Sequence, residues 1–521
     1  MKTMRTFWSI LLCLAVLGSC LSGCVVDERG AYVPTGDALS DADDPNTRVE
    51  TPESQEPLTL VYYPEQSMNP LTCNDYTNRL VLSLLYQGLF AVDKDYQATP
   101  ILCSEYAASE DMETYIFYVD SRATFSDGTR VTTADVLASL EAAWDSDLYG
   151  NRFYHVWDMY ESGGGVVIEL DTPYENLPLL LDVPILKATE LEAANPLGTG
   201  PYMLEKSVSG VQLRRRSNWW CKSPDLAATV DSIALQEAES PSQIRNAFQF
   251  EDVSLVVTDP GSDFYADYRS DYELWDMETG IFLYLGFNHE SDVLDDVDLR
   301  KLITHAIDRE TICQTYYRNF AQPATLPASP SSPYYNQSLA EKYGYAPEKL
   351  KQAVINAGLV GTELTLLVNG EDSVRLRVAN FIKAALEDTG LVINIVESSA
   401  YEFHYFLNMQ DYDMYLAQTK LSVNMDLSQF FYLYASMSFG NMEDEATYAM
   451  CEEALANQGN YYNLHKKIMD EGRICPILFR NYAVYGRRGV VSQLNPSREN
   501  GFYYTLGLSL ADIQVPMDEV E

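Results

Sequence analysis

The stretch IFLYLGFNHESDVLDDVDLRKLITHAIDRETI, residues 281–312, decides the fold of this chain. It opens with five apolar residues rich in strand formers, Ile281 to Leu285, and therefore predicts a β-strand. Asp295 is the expected N-cap of a following helix, and Asp308 is the expected N-cap of a second one. A strand, a loop and helices in this order are typical of an α/β core. The first helix is predicted from apolar residues that recur at the spacing of one helical face: Leu299, Leu302, Ile303, Ala306 and Ile307.

The same stretch carries a longer motif. Phe287-Asn288 ends the predicted strand, Asp298 and Arg300 stand two residues apart, and Ala306-Ile307-Asp308-Arg309 follows. In this order the residues resemble the middle segment of family 5 of the extracytoplasmic solute-binding proteins, the lipoproteins of oligopeptide, dipeptide and nickel ABC importers. In that family the chain crosses between two lobes near this point. The resemblance implies a hinge near Asn288 and, on the return crossing, near Phe479.

Three further motifs occur in the order that the family has them. Residues 125–144, FSDGTRVTTADVLASLEAAW, are close to its F-S-D-G signature and predict a capping box between Thr132 and Asp135. Residues 198–202, GTGPY, match a second landmark. Residues 86–90, YQGLF, resemble a third, in which the family usually has Glu in place of Gln. We interpret these residues as architectural, because turns, caps and core packing account for all of them.

The resemblance implies an α/β fold, namely a two-lobed, type II periplasmic-binding-protein-like architecture with an extra subdomain in the first lobe. The alternation of strands and helices on both sides of the crossing also predicts two α/β lobes. The first lobe is expected to hold residues 57–286 and 478–515, with the inserted subdomain at roughly 75–190. The second lobe is expected at residues 289–476, joined to the first by two crossing segments.

The N-terminus has the pattern of a bacterial lipoprotein signal. Lys2 and Arg5 form a basic region, and the apolar run from Phe7 to Gly18 is too short to span a bilayer comfortably. Leu21-Ser22-Gly23-Cys24 then resembles the lipobox, in which the chain is cut before the cysteine and the cysteine carries the lipid. We expect a signal peptide at residues 1–23 and lipidation at Cys24. A plain signal peptide with a chance cysteine is the alternative.

An acidic segment separates the predicted lipid site from the folded part. Residues 25–57 contain nine acidic and two basic residues, several prolines and glycines, and no apolar periodicity. This composition predicts that residues 24–56 form a disordered tether that begins at the lipidated cysteine. The protein is therefore expected to be extracytoplasmic and lipid-anchored to the bacterial cell membrane.

The charge of the chain excludes one class of partner. A formal net charge of −41 opposes binding to nucleic acid, which requires clustered Lys and Arg. We interpret Arg214-Arg215-Arg216 as the solvated end of a strand, with an anion site as the alternative. No zinc motif occurs among the five histidines, and no nucleophile motif is present. The sequence therefore predicts neither an enzyme, nor a metal site, nor a cofactor.

Six cysteines remain after those of the predicted signal and lipid site. None belongs to a C-x-x-C pair, and six cysteines allow 15 disulfide pairings. Free buried thiols are the alternative, since a core of this size needs no disulfide. The six are Cys73, Cys103, Cys221, Cys313, Cys451 and Cys475.

One segment of the second lobe is the candidate ligand site: residues 421–431, LSVNMDLSQFF. In peptide-binding relatives the corresponding region ends in D-P-x-x-F, and its carboxylate takes the ammonium of the peptide. The resemblance gives that role to Asp426, although Leu427 replaces the Pro. Capping of a helix that starts near Leu427 is the alternative role for Asp426. Ligand contacts are predicted at Asp426, Asn424 and Phe430, and at Tyr405 from a second aromatic stretch.

These observations predict a substrate-binding lipoprotein of an ABC importer. The lobes are expected to close on a small solute, most simply a peptide, and to deliver it to a separate permease and ATPase. A nickel chelate or an oligosaccharide is the alternative ligand. A lipoprotein that senses or adheres without transport is the alternative function. The protein is expected to be a monomer and to do no chemistry on its ligand.

Overall fold

The organising stretch contains the second half of a long strand followed by two helices. The strand spans Tyr272–Phe287, so it begins well before the apolar run from which it was predicted. The first helix spans Val297–His305 and the second spans Arg309–Tyr316. The prediction of a strand, a loop and two helices is therefore confirmed for this segment.

The two helices differ in how well their caps were predicted. Asp308 caps the second helix as expected, because its carboxylate accepts a hydrogen bond from the Thr311 N–H at 3.0 Å. The first helix is capped by Asp296 and not by Asp295. The Asp296 carboxylate accepts hydrogen bonds from the second and third N–H groups of the helix, the positions that an N-cap side chain reaches. In a run of two aspartates the composition alone does not distinguish the cap from its neighbour.

The computed structural model describes residues 58–208, 210–221, 228, 230–262, 265, 268–491, 494–498 and 500–502. The predicted signal peptide, Cys24 and the tether lie outside these residues, as does the predicted end of the first lobe at 503–515. The strands are β1 Thr59–Tyr62, β2 Phe90–Val92, β3 Ala98–Pro100, β4 Cys103–Ala108, β5 Thr114–Val119, β6 Val156–Ser162, β7 Gly165–Leu170, β8 Tyr202–Ser207, β9 Gly210–Arg215, β10 Ser232–Glu237, β11 Leu255–Thr258, β12 Tyr272–Phe287, β13 Ala321–Pro323, β14 Glu363–Asn369, β15 Val392–Ser398, β16 Met414–Lys420 and β17 Ile474–Arg487.

The helices fall mainly in the second half of the chain. They are α1 Tyr76–Leu82, α2 Thr133–Trp144, α3 Pro241–Gln249, α4 Val297–His305, α5 Arg309–Tyr316, α6 Gln337–Ala340, α7 Pro347–Asn356, α8 Ser373–Glu387, α9 Ala400–Met409, α10 Ser428–Phe431, α11 Glu445–Ala456 and α12 Tyr461–Asp470. The capping box predicted at the start of α2 is confirmed, since Thr132 and Asp135 exchange side-chain and backbone hydrogen bonds.

One seven-stranded sheet contains strands from both halves of the described chain. Its strand order is β11-β17-β12-β16-β14-β15, and β13 pairs with β17. The two long strands, β12 and β17, are antiparallel and pair from Tyr272 opposite Arg487 to Gly286 opposite Ile474. β14 lies parallel to both β15 and β16. The two long strands therefore connect β11, at one edge of the sheet, with β16, β14 and β15 on the other side.

The long strands change partners near residue 280. β17 pairs with β11 through residues 483–486, whereas β12 pairs with β16 through residues 281–287. The pairing between β12 and β17 is irregular between Glu278 and Phe282, and Gly280 has φ +75°. A side chain at Gly280 would be strained by this φ and would approach Leu421 O to 2.9 Å.

We name the parts on either side of this point the first lobe, residues 58–279 and 480–502, and the second lobe, residues 281–479. The boundary at 286–289 expected from the sequence stays a prediction, and the change of strand partners near residue 280 is the basis of the names used here. The second lobe has a core of its own, in which α4 and α8 pack on the sheet through residues such as Ile303, Val378 and Leu366.

The first lobe contains two four-stranded sheets. The order of one is β1-β10-β9-β8, with β1 parallel to β10. The order of the other is β4-β5-β7-β6, and all of its pairs are antiparallel. The second of these sheets, with α2, lies within the segment predicted to be an inserted subdomain. Its buried face includes Phe117, Val166 and Ile168.

The family motifs of the first lobe meet at one place. The Ser126 N–H of the F-S-D-G turn donates to Gly198 O of the G-T-G-P-Y turn at 2.9 Å. Arg216 spans both turns, because its guanidinium donates to Thr199 O, Gly200 O and Phe125 O. Arg216 is therefore half-buried and structural, and its interpretation as a solvated strand end was wrong. Arg214 and Arg215 are exposed, as that interpretation expected.

All six cysteines that remain after the signal and lipid site are free thiols, and all but Cys221 are buried. In the part of the chain that the structure describes, no helix is both long enough and apolar enough to cross a membrane.

Candidate ligand-binding site between the lobes

Asp426 lies in the loop between β16 and the short helix α10. Its carboxylate accepts hydrogen bonds from the Ser428 backbone N–H at 2.9 Å and from the Ser428 hydroxyl at 2.6 Å. Asn424 stabilises the same loop, since its side-chain oxygen accepts from the Asp426 N–H at 3.3 Å. Only 10% of the Asp426 side chain is exposed. One carboxylate oxygen thus stabilises the start of α10, while the other is directed elsewhere.

The second oxygen of Asp426 faces a histidine of the first lobe. His155, which directly precedes β6, has its Nε2 atom 3.5 Å from Asp426 Oδ2 and 3.1 Å from Ser428 Oγ. Its Nδ1 atom lies 3.0 Å from Asp171 Oδ1. His155 is only 8% exposed. One imidazole therefore connects a carboxylate of its own lobe with a carboxylate of the opposite lobe.

The two carboxylates favour the charged form of the imidazole. Burial alone would lower the pKa of His155, but hydrogen bonds with Asp171 and Asp426 raise it to about 9. Burial alone would raise the pKa of Asp426, but the bonds from His155 and Ser428 hold it below its usual value. At neutral pH the interface between the lobes therefore contains a buried ion pair.

The space beside this ion pair is small. The cavity lined by His155 and Tyr174 of the first lobe and by Asn424 and Asp426 of the second has a volume of about 10 Å³. That volume accommodates about one water molecule. Arg152, which forms an ion pair with Asp182, borders both this cavity and a larger one of about 160 Å³ in the first lobe. In this conformation the lobes are closed over Asp426.

Two further hydrogen bonds join the lobes close to His155. The Thr172 hydroxyl lies 3.2 Å from the Glu452 carboxylate, and the Glu175 N–H donates to Leu455 O at 3.3 Å. The segment 171–175 therefore follows the edge of α11 and adds to the contact that His155 makes. Polar contacts hold the closed arrangement at several points.

The structure brings together some of the residues predicted to bind ligand. Asn424 and Asp426 line the same cavity. Phe430 is fully buried below the loop, where its ring meets the ring of Tyr284 edge-on at 5.3 Å between centroids. Tyr405 lies on α9 with 58% of its surface exposed and is not among the residues that line this cavity.

The residues predicted at the hinge occupy different positions. Phe479 lies at the edge of the irregularity in β17, and its ring stacks on that of Phe282 at 4.9 Å. Asn288 follows the end of β12 inside the second lobe. Its side-chain amide donates to Gln410 O and Tyr412 O, both at 3.1 Å.

Sequence reasoning did not identify His155, Asp171 and Ser428 as parts of the site. His155 is separated from Asp171 by 16 residues and from Ser428 by 273, and no local motif surrounds it. The chain has 76 Asp and Glu residues, so the sequence does not indicate which carboxylate pairs with a given histidine. A deeply buried histidine beside two carboxylates is recognisable only once the lobes are placed together.

Among the residues with coordinates in the ranges above, no group of three or more His, Cys, Asp and Glu side chains is arranged to hold a metal ion.

Two lobes built on shared long strands, with a polar site where they meet, define a solute-binding protein of the two-lobed class. A sequence model of the bacterial extracellular solute-binding proteins, family 5 Middle, matches residues 97–441. The match covers more than half of the chain, and the chain belongs to this family. The glutathione-binding protein GsiB of Salmonella paratyphi A (strain ATCC 9150 / SARB42) is 23% identical over 364 residues, covering 64% of this chain and 68% of that protein.

Solved structures show the same fold. The ABC transporter substrate-binding protein CtaP from Listeria monocytogenes has a TM-score of 0.72 and 19% identity, covering 88% of this chain and 100% of that one. NikA from Brucella suis in complex with Fe(III)-EDTA has a TM-score of 0.70 and 17% identity, covering 86% and 99%. The oligopeptide-binding protein AppA from Bacillus subtilis, in complex with a nonapeptide, has a TM-score of 0.62 and 18% identity, covering 86% and 98%.

These findings confirm three predictions. The fold is α/β, two-lobed and of the type II periplasmic-binding-protein kind. The family is the one that the motifs resemble. The class of function is the binding of a solute outside the cytoplasm.

Proposed function

We propose that this protein is the lipid-anchored receptor of an ABC importer and that it captures a peptide between its lobes. The observation that carries the proposal is the buried carboxylate of Asp426, whose charge is balanced across the interface by a cation of the other lobe. The protein binds and releases its ligand without chemistry, and a separate permease and ATPase carry out transport.

The ligand class follows from the charge of the site. The ammonium of a peptide loses its water in a closed cleft, and this costs several kcal/mol unless a carboxylate replaces the water. Asp426 supplies such a carboxylate on the second lobe, held in place by Ser428. The names of two relatives, a glutathione-binding protein and an oligopeptide-binding protein, support a peptide.

Capture requires the lobes to separate, and we place the hinge at the irregularity of the long strands. There the pairing of β12 and β17 lapses between Glu278 and Phe282, beside Phe479. Gly280 provides a backbone conformation that other residues rarely adopt. Asn288 then fixes the end of β12 to the second lobe through its bonds to Gln410 and Tyr412.

The test of the ligand class is titration calorimetry with a tripeptide that has a free amine and with its N-acetylated form. Asp426→Asn keeps the shape and removes the charge, so it should weaken binding of the free-amine tripeptide by about 2–5 kcal/mol. Binding of the acetylated tripeptide should hardly change. Asp470→Asn is the control, because that carboxylate pairs with Lys466 on the surface of the second lobe.

Two outcomes would contradict the ligand class. Unchanged affinity of the folded Asp426→Asn variant for both tripeptides would restrict Asp426 to stabilising α10. Failure of the wild type to bind peptides would favour a nickel chelate or an oligosaccharide as ligand, and mass spectrometry of the solute that co-purifies with the protein would identify it. A protein that binds no solute at all would favour the sensing or adhesive function.

The lipid anchor has a separate test. Cys24→Ala should leave an uncleaved precursor or release the protein from the membrane fraction, whereas Cys13→Ala, within the predicted signal, should do neither. Mass spectrometry of the mature N-terminus should find diacylglycerol on Cys24. A mature chain that begins downstream of Cys24 without a lipid mass would contradict the anchor.

A further inference from the structure

We infer that His155 determines which ligands this receptor accepts, because its imidazole occupies the place on Asp426 that a cationic ligand would take. This inference rests on the proposed function, in which Asp426 receives the ammonium of a peptide. In the closed arrangement of the structure, His155 acts as an internal substitute for that ammonium and joins the two lobes.

The geometry indicates that the imidazole and the ammonium of a ligand would use the same oxygen of Asp426. His155 and Asp426 approach from opposite lobes, and the Nε2–Oδ2 distance is 3.5 Å. The other oxygen of Asp426 is already engaged by the backbone N–H and the hydroxyl of Ser428. Oδ2 is therefore the oxygen left for a partner from the other lobe; His155 uses it, and a cationic ligand would need it.

The ligand and the imidazole exclude each other for reasons of space. The cavity beside the pair accommodates about one water molecule. An ammonium with the first atoms of a peptide does not fit while His155 remains against Asp426. A free-amine ligand must therefore open the lobes at this point and displace the imidazole, which keeps its second partner, Asp171, when it withdraws.

The contacts that close the lobes lower the affinity for any ligand that binds only when the lobes are open. The seam that closes the lobes includes the Thr172–Glu452 and Glu175–Leu455 contacts as well as the ion pair. A ligand that binds only the open form is bound more weakly by the fraction of molecules that are open. Solutes with an amine but few other contacts are then rejected, and peptides with sufficient backbone contacts are accepted.

The test compares wild-type protein with His155→Gln, which has a polar side chain but no positive charge. We expect the ligand-free variant to have a larger radius of gyration in solution scattering than the wild type. Its affinity for a free-amine tripeptide should rise about tenfold. Affinity for the N-acetylated tripeptide should rise less, because that ligand does not compete for Asp426. His404→Gln, the same substitution at an exposed position of α9, should change none of these quantities.

Since His155 is buried, Asp171→Asn provides a second variant at a half-exposed position, where 46% of the side chain is accessible. It weakens the hold on the imidazolium without touching Asp426 and should shift scattering and affinity in the same direction by a smaller amount. Circular dichroism establishes that each variant is folded before the measurements are compared.

The outcomes separate this inference from the proposed function. If His155→Gln has the larger radius of gyration but neither protein binds a peptide, closure by His155 is supported. The proposed peptide-binding function is then wrong. If peptides bind the wild type and folded His155→Gln has the same radius and affinities, the inference is overturned. Equal gains for free-amine and acetylated tripeptides would overturn the role of His155 in ligand choice.

Discussion

Two buried cations of this protein, Arg300 and His155, are held in opposite ways. Arg300 belongs to the organising stretch and is 4% exposed. Its guanidinium donates to four backbone carbonyls, those of Leu294, Asp295, Glu471 and Gly472, all within the second lobe. His155 is 8% exposed and meets two carboxylates that belong to different lobes.

The difference appears in the direction of the pKa shifts. Burial, reinforced by the charge of Arg473, lowers the pKa of Arg300. The two carboxylates outweigh burial at His155 and raise its pKa. Carbonyl partners within one lobe satisfy a cation that is always present, and they fix the turn between α12 and β17 against α4. Carboxylate partners in two lobes favour the charged imidazole most while the lobes are closed, and such a contact is expected to depend on pH.

The largest effect is expected from Arg300→Leu. This substitution leaves four carbonyls without their donor, so it should lower the free energy of unfolding by about 3–5 kcal/mol. Lys301→Leu is the matched control at the neighbouring position and should change it by no more than about 0.5 kcal/mol. Denaturant titration followed by circular dichroism measures both. An unchanged free energy of unfolding for Arg300→Leu would mean that water replaces the guanidinium. Arg300 would then not be the structural cation with which His155 is compared here.

A smaller effect is expected from pH, and only at His155. Its pKa is raised from 6.5 in the unfolded chain to about 9, so its stabilisation is fully present below pH 6.5 and is lost as pH rises through 9. We expect the difference in unfolding free energy between wild type and His155→Gln to shrink by about 1–3 kcal/mol across this window. An arginine remains charged throughout, so the corresponding difference for Arg300→Leu should stay constant.

The groups around the imidazole support this window. Asp171 and Asp426 are the carboxylates that face it. Burial raises the pKa of the neighbouring Tyr154 to about 12 and that of Cys451, beside Ser428, well above its usual value. Neither therefore ionises between pH 6.5 and 9. Parallel pH profiles of the wild type and His155→Gln would show that the imidazole is not charged in the folded protein.

Asp171→Asn should have a more limited consequence. The amide retains a hydrogen-bond acceptor for Nδ1 but removes one of the two negative charges, so the pKa of His155 should fall by about one unit, equivalent to about 1.4 kcal/mol. Nuclear magnetic resonance of the imidazole C–H signals measures this directly in a chain with five histidines. An unchanged pKa would assign the whole shift to Asp426 and strengthen the contact between the lobes.

The smallest effect is expected from Tyr405→Ala. Tyr405 was predicted to contact the ligand, yet its ring is exposed on α9 and packs against Phe406. Both the free energy of unfolding and the free energy of tripeptide binding should change by less than about 0.5 kcal/mol. A loss of binding comparable with that of Asp426→Asn would extend the ligand site to α9.

The sequence predicted candidate site residues in the second lobe only. Asp426 and Asn424 were found through a motif, and motifs are local in sequence. Phe430 was found in the same way, but it packs below the site and supports the loop. His155 has no motif, because a histidine before a strand is common and its function depends on groups in another lobe.

In the fold, too, features that depend on residues close in sequence were predicted, whereas strand pairing between distant residues was not. Strands, helices, the Asp308 cap and the capping box at Thr132 follow from periodicity and from side chains that bond to backbone within a few residues. The point at which β12 changes its partner strands does not follow from such patterns, since an apolar pattern shows that a residue is buried and not which strand covers it.

What the sequence by itself determined is the family, the α/β class and the identity of the loop that carries Asp426. Tertiary structure alone decided that this carboxylate faces His155, that Arg216 joins two turns, and that the lobes meet along residues 171–175. The reason is physical: local patterns encode conformation and burial, which depend on near neighbours. Charge pairing depends on distances through space, and here it joins groups separated by more than half of the chain.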